Sequence, residues 1–215
     1  MTNQVECVFI LDRSGSMAGL ESDTIKGFNS LLNKQREEEG EAKITTVLFD
    51  HTIEILHDRI NVKSIANITE KEYYVRGSTA LLDAIGMTIE KIVNVQKATM
   101  KEHQSEKVLF VITTDGMENS SRKYNYKMIK KMIEHQKKKY HWEFIFMGAN
   151  MDAINVASNF GIDANRAVNY HSDIKGTNLN YQAMNKVMSD FRTKDSIKDD
   201  WKKEVDEDFI KRDKK

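Results

Sequence analysis

Apolar positions along this chain keep two different rhythms. Residues 5–11, VECVFIL, form a continuous strand-like run, apolar except for Glu6, the pattern of a strand buried on both faces. After a short polar loop, Ile25, Phe28, Leu31 and Leu32 recur at helical spacing until the stretch KQREEEGE closes that face. Residues 43–49 and 52–60 are rich in β-branched and apolar side chains and are separated only by Asp50 and His51. That spacing predicts a tight antiparallel hairpin with its second strand at a sheet edge.

Beyond Thr79 the helical rhythm returns in Leu81, Leu82, Ile85, Ile89, Ile92 and Val93, and KVLFVIT from Lys107 reads as a central strand. Met128, Ile129, Met132 and Ile133 mark a further helix. The strand WEFIFMGA follows, then a short helix ending near Gly161 and a last short strand in RAVNY. Met184, Val187, Met188 and Phe191 define one more helix. Strands thus alternate with crossover helices. The predicted fold class is α/β: a doubly wound, mostly parallel sheet with one antiparallel edge strand and helices on both faces. Residues 1–192 are expected to form this domain and 193–215 a charged tail. In the tail Ile197, Trp201, Val205 and Phe209 recur every four residues, as on an amphipathic helix that packs back on the domain or docks a partner.

Composition narrows the function classes. The 215 residues carry 33 basic and 33 acidic side chains, a net charge of +0, so no global field draws the chain to nucleic acid or to an anionic membrane. The locally basic KMIKKMIEHQKKKYHW interleaves its lysines with apolar residues, as a solvated helix over a core does. No apolar run approaches the roughly 20 residues that span a bilayer. Cys7 is the only cysteine and lies in an apolar run, and the first residues lack the basic and apolar regions of a signal peptide. A reduced, cytoplasmic protein is the expectation.

The candidate chemistry gathers at strand ends. FILDRSGSMAG places Asp12, Ser14 and Ser16 at steps of two after the first strand, Thr79 follows RGS at a helix start, and Asp115 follows LFVITT. In a parallel sheet such ends converge on one crevice. Every donor is an oxygen, which suits a hard cation: two carboxylates and three hydroxyls fit magnesium, with manganese or calcium as alternatives. Hydroxyls coordinate without adding charge, so a cation held this way stays electrophilic enough to take an acidic side chain from a partner.

DRSGS at 12–16, GST at 77–79 and TDG at 114–116, in that order, resemble the three parts of the metal-ion-dependent adhesion site of von Willebrand factor A-type (VWA) domains. The resemblance covers roughly residues 4 to 190. It implies a doubly wound sheet and a divalent cation, usually magnesium. It also implies Asp12, Ser14, Ser16, Thr79 and Asp115 as direct or water-bridged ligands, and a protein partner that presents Asp or Glu. Members of this family work both inside cells and as extracellular adhesion modules; the single cysteine and the lack of a signal suggest the intracellular, bacterial or bacterial-virus kind.

The rival reading is a magnesium-dependent phosphoryl-transfer enzyme with a strand-end aspartate as nucleophile. It lacks a second carboxylate two residues beyond Asp12, and Arg13 and Arg76 are expected to serve surface ion pairs. No phosphate-binding glycine motif follows any strand, and the six histidines show no zinc spacing. Asp83 is a candidate for bonding the serine loop or for favouring its own helix dipole. Helix starts near Ser16 and Thr79 would offer N–H groups. Tyr73 and Tyr74 either rim the metal face as a hot spot or pin the loop to the core.

Overall fold

The fold is taken from a computed structural model, which describes residues 4–194 and 196–213. Six strands form one sheet in the order β3-β2-β1-β4-β5-β6. Strands β1 (Val5–Asp12), β2 (Ala42–Phe49), β4 (Lys107–Thr114), β5 (Glu143–Ala149) and β6 (Ala167–Tyr170) run parallel, and β3 (Ile53–Asn61) is the antiparallel edge. The hairpin turn spans Asp50 to Thr52, closed by Asp50 Oδ1, which accepts from the Thr52 amide at 2.7 Å. The chain leaves β1 toward β2 on one side and reaches β4 on the other, so the winding reverses between β1 and β4.

Alternation along β1 divides the core. Val5, Cys7, Phe9 and Leu11 pack with α1 (Glu21–Glu37), α5 (Ile174–Thr193) and α6 (Lys203–Asp213), while Val8 and Ile10 pack with α2 (Leu81–Ala98), α3 (Tyr126–Tyr140) and α4 (Ala153–Asn159). Helices therefore cover both faces. Phe28 of α1 meets Phe9 edge to face at 5.3 Å, and burying such a side chain is worth about 2–3 kcal/mol. Acidic Glu21 and Asp23 open α1 and basic Lys34 and Arg36 close it, which suits its dipole. Arg192 of α5 then donates to the carbonyls of Gln35, Glu38, Glu39 and Gly40. Those contacts satisfy the frayed end of α1.

The four-residue rhythm of the tail is only partly helical. Ile197 precedes any helix, Trp201 lies in a 3-10 turn (Asp199–Lys202), and only Val205 and Phe209 lie in α6. Ile197, Trp201 and Val205 are nevertheless buried against the α1/α5 side of the sheet. The Trp201 indole N–H is satisfied by the Asn165 carbonyl at 2.9 Å, a contact that fixes the turn before α6. Residues 1–3, 195, 214 and 215, which belong to the expected domain and tail, lie outside the described residues. Among the described residues no helix is long and apolar enough to cross a membrane.

Candidate metal centre

Parallel register brings the two strand ends together. The last paired rung of β1 and β4 is Leu11 with Thr113. One rung further, the Thr114 hydroxyl donates to Asp12 Oδ2 at 2.6 Å, and the Ser14 amide donates to Asp12 Oδ1 at 2.7 Å. Ser14 and Ser16 hydroxyls lie 3.0 Å apart, and Thr79 Oγ1 donates to Ser14 Oγ at 3.0 Å. Asp115 Oδ2 accepts from Ser172 at 2.9 Å, while its Oδ1 is buried without a hydrogen-bond partner. A Cβ added at Gly116 would stand 2.9 Å from Ser16 Oγ and 3.1 Å from Thr79 Oγ1. The glycine therefore keeps a small cradle open between the hydroxyls. All five residues singled out in the sequence are gathered at the point where the winding reverses.

The loops that carry them are bolted to one another. Gly15 N–H donates to the Gly77 carbonyl at 3.0 Å, and Gly77 has φ +70° with no room for a side chain beside His51. Asn119 takes the Thr79 amide on its side chain and returns its own amide to the Thr79 carbonyl. Glu118 accepts from the Leu82 amide at 2.8 Å, so the first turn of α2 is occupied by protein rather than offering free N–H groups to a ligand. Asp83 does not reach the serine loop; its carboxylate accepts from the amides of Arg122, Lys123 and Tyr124, locking the loop after Asp115 onto α2. The tyrosine pair divides its roles. Tyr73 is buried and its hydroxyl donates to the Asp12 carbonyl at 2.6 Å, whereas Tyr74 is 42% exposed.

Electrostatics set this centre apart. Six acidic side chains are buried among the described residues: Glu6, Asp12, Asp50, Asp115, Asp190 and Asp208. Glu6 pairs with Arg59, Asp50 with Arg13 and Arg76, Asp190 with Lys194, and Asp208 with Lys175 and Arg212. Asp12 and Asp115 have no basic partner among the described residues. Burial pushes the Asp12 carboxyl up to about 6, against hydrogen bonds from Thr114 and Ser14, with Asp115 adding to the rise. Burial also raises Asp115, opposed by the Ser16 and Ser172 hydroxyls. Among the described residues no three His, Cys, Asp or Glu side chains gather as a metal site. The donor set is two carboxylates with hydroxyls, which fits a hard, oxygen-seeking cation and not a softer metal.

One set of contributors escaped the sequence reading. Arg13, expected at the surface, is fully buried: its Nε donates to Asp50 Oδ2 at 2.9 Å and its Nη1 lies 2.8 Å from Glu54. Arg76 Nε donates to the same Asp50 oxygen at 2.8 Å, and both guanidinium groups lie over the Tyr74 ring, 5.4 and 5.2 Å from its centroid. Burial acts to raise the Asp50 carboxyl, but bonds from Arg76, Thr52 and Arg13 outweigh it and hold the group below its ordinary range. The carboxylate that recruits Arg13 lies 37 positions further along the chain, and hydrophobic periodicity gives no sign of that contact.

No family model matches the sequence, and no curated protein sequence matches it. Solved structures do match. A von Willebrand factor type A protein from Catenulispora acidiphila aligns with 13% identity and a TM-score of 0.56, over 85% of this chain and 42% of that one. Proximal thread matrix protein 1 from the mussel byssus, with a zinc-occupied MIDAS motif, aligns with 13% identity and a TM-score of 0.54, over 88% of this chain and 45% of that one. A D319A mutant of the PilB minor pilin from Streptococcus sanguinis aligns with 12% identity and a TM-score of 0.58, over 86% and 61%. This chain thus spans between 42% and 61% of those three. At such identities the likeness is one of fold, and the fold is of the VWA type. The expectation of a cytoplasmic protein is corrected by these matches, which include a byssal thread matrix protein and a pilin, both structures outside the cytoplasm.

Proposed function

We propose that this protein is a divalent-cation-dependent binding module. In this reading Ser14, Ser16 and Thr79 hold magnesium through neutral oxygens, and Asp12 and Asp115 hold it directly or through water. The partner protein brings an Asp or Glu carboxylate. The observation that carries the reading is the pair of buried carboxylates without an internal cation, set beside three hydroxyls linked through Ser14 and an unpartnered Asp115 Oδ1. A bound cation supplies the positive charge this pair lacks. Because the hydroxyls add none, net charge remains to attract an acidic side chain from outside. The zinc-occupied site of the byssal matrix protein supports a divalent cation in a fold of this type. In this proposal residues 1–192 form the binding domain and the C-terminal segment its scaffold.

An enzymatic role is the weaker reading. The arginines nearest the cluster, Arg13 and Arg76, are held by Asp50 rather than left free to steady a transferred phosphoryl group. The matching proteins named above are a thread matrix protein, a minor pilin and a von Willebrand factor type A protein, none described as an enzyme. Calorimetric titration with magnesium and manganese tests the cation step. Capture from native extract with and without chelator tests the partner step. Asp12→Ala and Ser14→Ala are expected to abolish both while the fold persists. Absence of cation uptake, or capture that survives chelator, overturns the reading.

A further inference from the structure

We propose that Asp50 is the positioning residue of the cation site, a role that rests on the reading above. Asp50 contributes no atom to the hydroxyl cluster, yet it joins the loops that do. Its carboxylate accepts from Arg13, the residue before Ser14, and from Arg76, three before Thr79. Its backbone carbonyl accepts from the amide of Ala80, the residue after Thr79, at 2.9 Å. The Arg76 amide in turn donates to the Arg13 carbonyl at 2.9 Å. Two of the three ligand-bearing loops are thereby cross-linked through one fully buried anion, whose own charge is met by guanidinium groups and so does not compete for the cation. Fixed in this way, the hydroxyls of Ser14 and Thr79 face each other before any cation arrives, and little ordering remains to be done on binding.

The test is manganese affinity, measured by calorimetry on the full chain and set against thermal stability. Asp50→Asn is expected to weaken manganese binding by about tenfold or more. Glu6→Gln, which disturbs the buried ion pair at the opposite end of β1, serves as the control for general loss of stability. It is expected to lower the melting temperature comparably while changing affinity by less than about twofold. Equal effects of the two variants on affinity, or wild-type affinity in Asp50→Asn, overturn the positioning role. Should Asp50→Asn fail to fold, Arg76→Gln replaces it, because the Arg76 side chain is 40% exposed. An affinity loss of about threefold at unchanged melting temperature then supports the role, and unchanged affinity overturns it. Wild-type protein that takes up no manganese overturns the cation reading itself, and this role with it.

Discussion

The two ends of β1 each bury an acid, and they solve the problem differently. Alternation places Glu6 and Asp12 on the same face as Val8 and Ile10. At the amino end Glu6 meets its cation from within the chain, Arg59 Nε at 2.9 Å, with Ser105 donating to the other oxygen at 3.2 Å. At the carboxyl end Asp12 receives only neutral donors, the Ser14 amide and the Thr114 hydroxyl, and has Asp115 as a neighbour. A buried charge without a counter-charge costs several kcal/mol. Among the described residues the fold supplies an internal cation to four of six buried acids. The two left without one sit where loops converge, beside the exposed Ser16. The contrast locates the site on energetic grounds, independently of the motif.

Removing a charge should therefore act with opposite sign at the two ends. Arg59→Met leaves Glu6 buried and unpaired, and urea denaturation should show a loss of about 3–5 kcal/mol. Asp12→Asn removes an uncompensated charge and should stabilise the cation-free protein at pH 7.5 by up to about 3 kcal/mol. The same substitution should erase any stabilisation by magnesium. Destabilisation by Asp12→Asn in the absence of cations would break the comparison, because Asp12 would then be well solvated or paired as it stands.

The pH dependence follows from the same raised carboxyl. Asp12 has an ordinary value of 3.8 and a folded value of about 6, so the folded state holds the proton more tightly than the unfolded one. Its contribution to stability is full below about pH 4, declines as pH climbs toward 6 and is gone above that, a change of about 3 kcal/mol or less. Saturating magnesium should remove the decline, and magnesium affinity should fall as pH drops below about 6. Denaturation at pH 4.5 and 7.5, with Asp12→Asn as reference, isolates this step from other titrating groups.

How much of this was legible in the sequence depends on the range over which each feature acts. The strands and helices were legible because burial on one face or two leaves a period within a dozen residues, as in Val5 to Leu11 and Leu81 to Val93. The nearness of Asp12, Ser14, Ser16 and Asp115 was legible because they stand at the carboxyl ends of β1 and β4, and such ends converge whatever the loops do, whereas Thr79 stands just before α2, after the antiparallel edge strand, and was marked by its motif alone. The supports were not. Asp50 and Arg13 are 37 positions apart and Glu118 and Leu82 are 36 apart, and a lone arginine or glutamate in a polar loop looks the same whether it is solvated or buried. In the tail Ile197, Trp201 and Val205 are buried and Phe209 only half-buried, and the four-residue spacing misjudged the geometry, since a turn around Trp201 rather than a continuous helix brings the first three to the core.

The smallest expected effect tests how far the carboxyl end of the sheet is set in advance. Ser172 lies beyond β6, and its hydroxyl occupies Asp115 Oδ2, which leaves Oδ1 as the oxygen without a partner. Ser172 is half-buried, so water can replace its hydroxyl, and Ser172→Ala should cost less than about 1 kcal/mol of stability. It should still weaken magnesium binding about two- to threefold, because Asp115 then has a second orientation to abandon when a cation binds. Ser172→Thr keeps the donor and should restore most of the affinity in calorimetry. If Ser172→Ala bound magnesium as tightly as wild type, the orientation of Asp115 would have to come from burial and the Ser16 hydroxyl. The two ends of β1 would then differ only in the charge available to them and not in how firmly the acid is aimed.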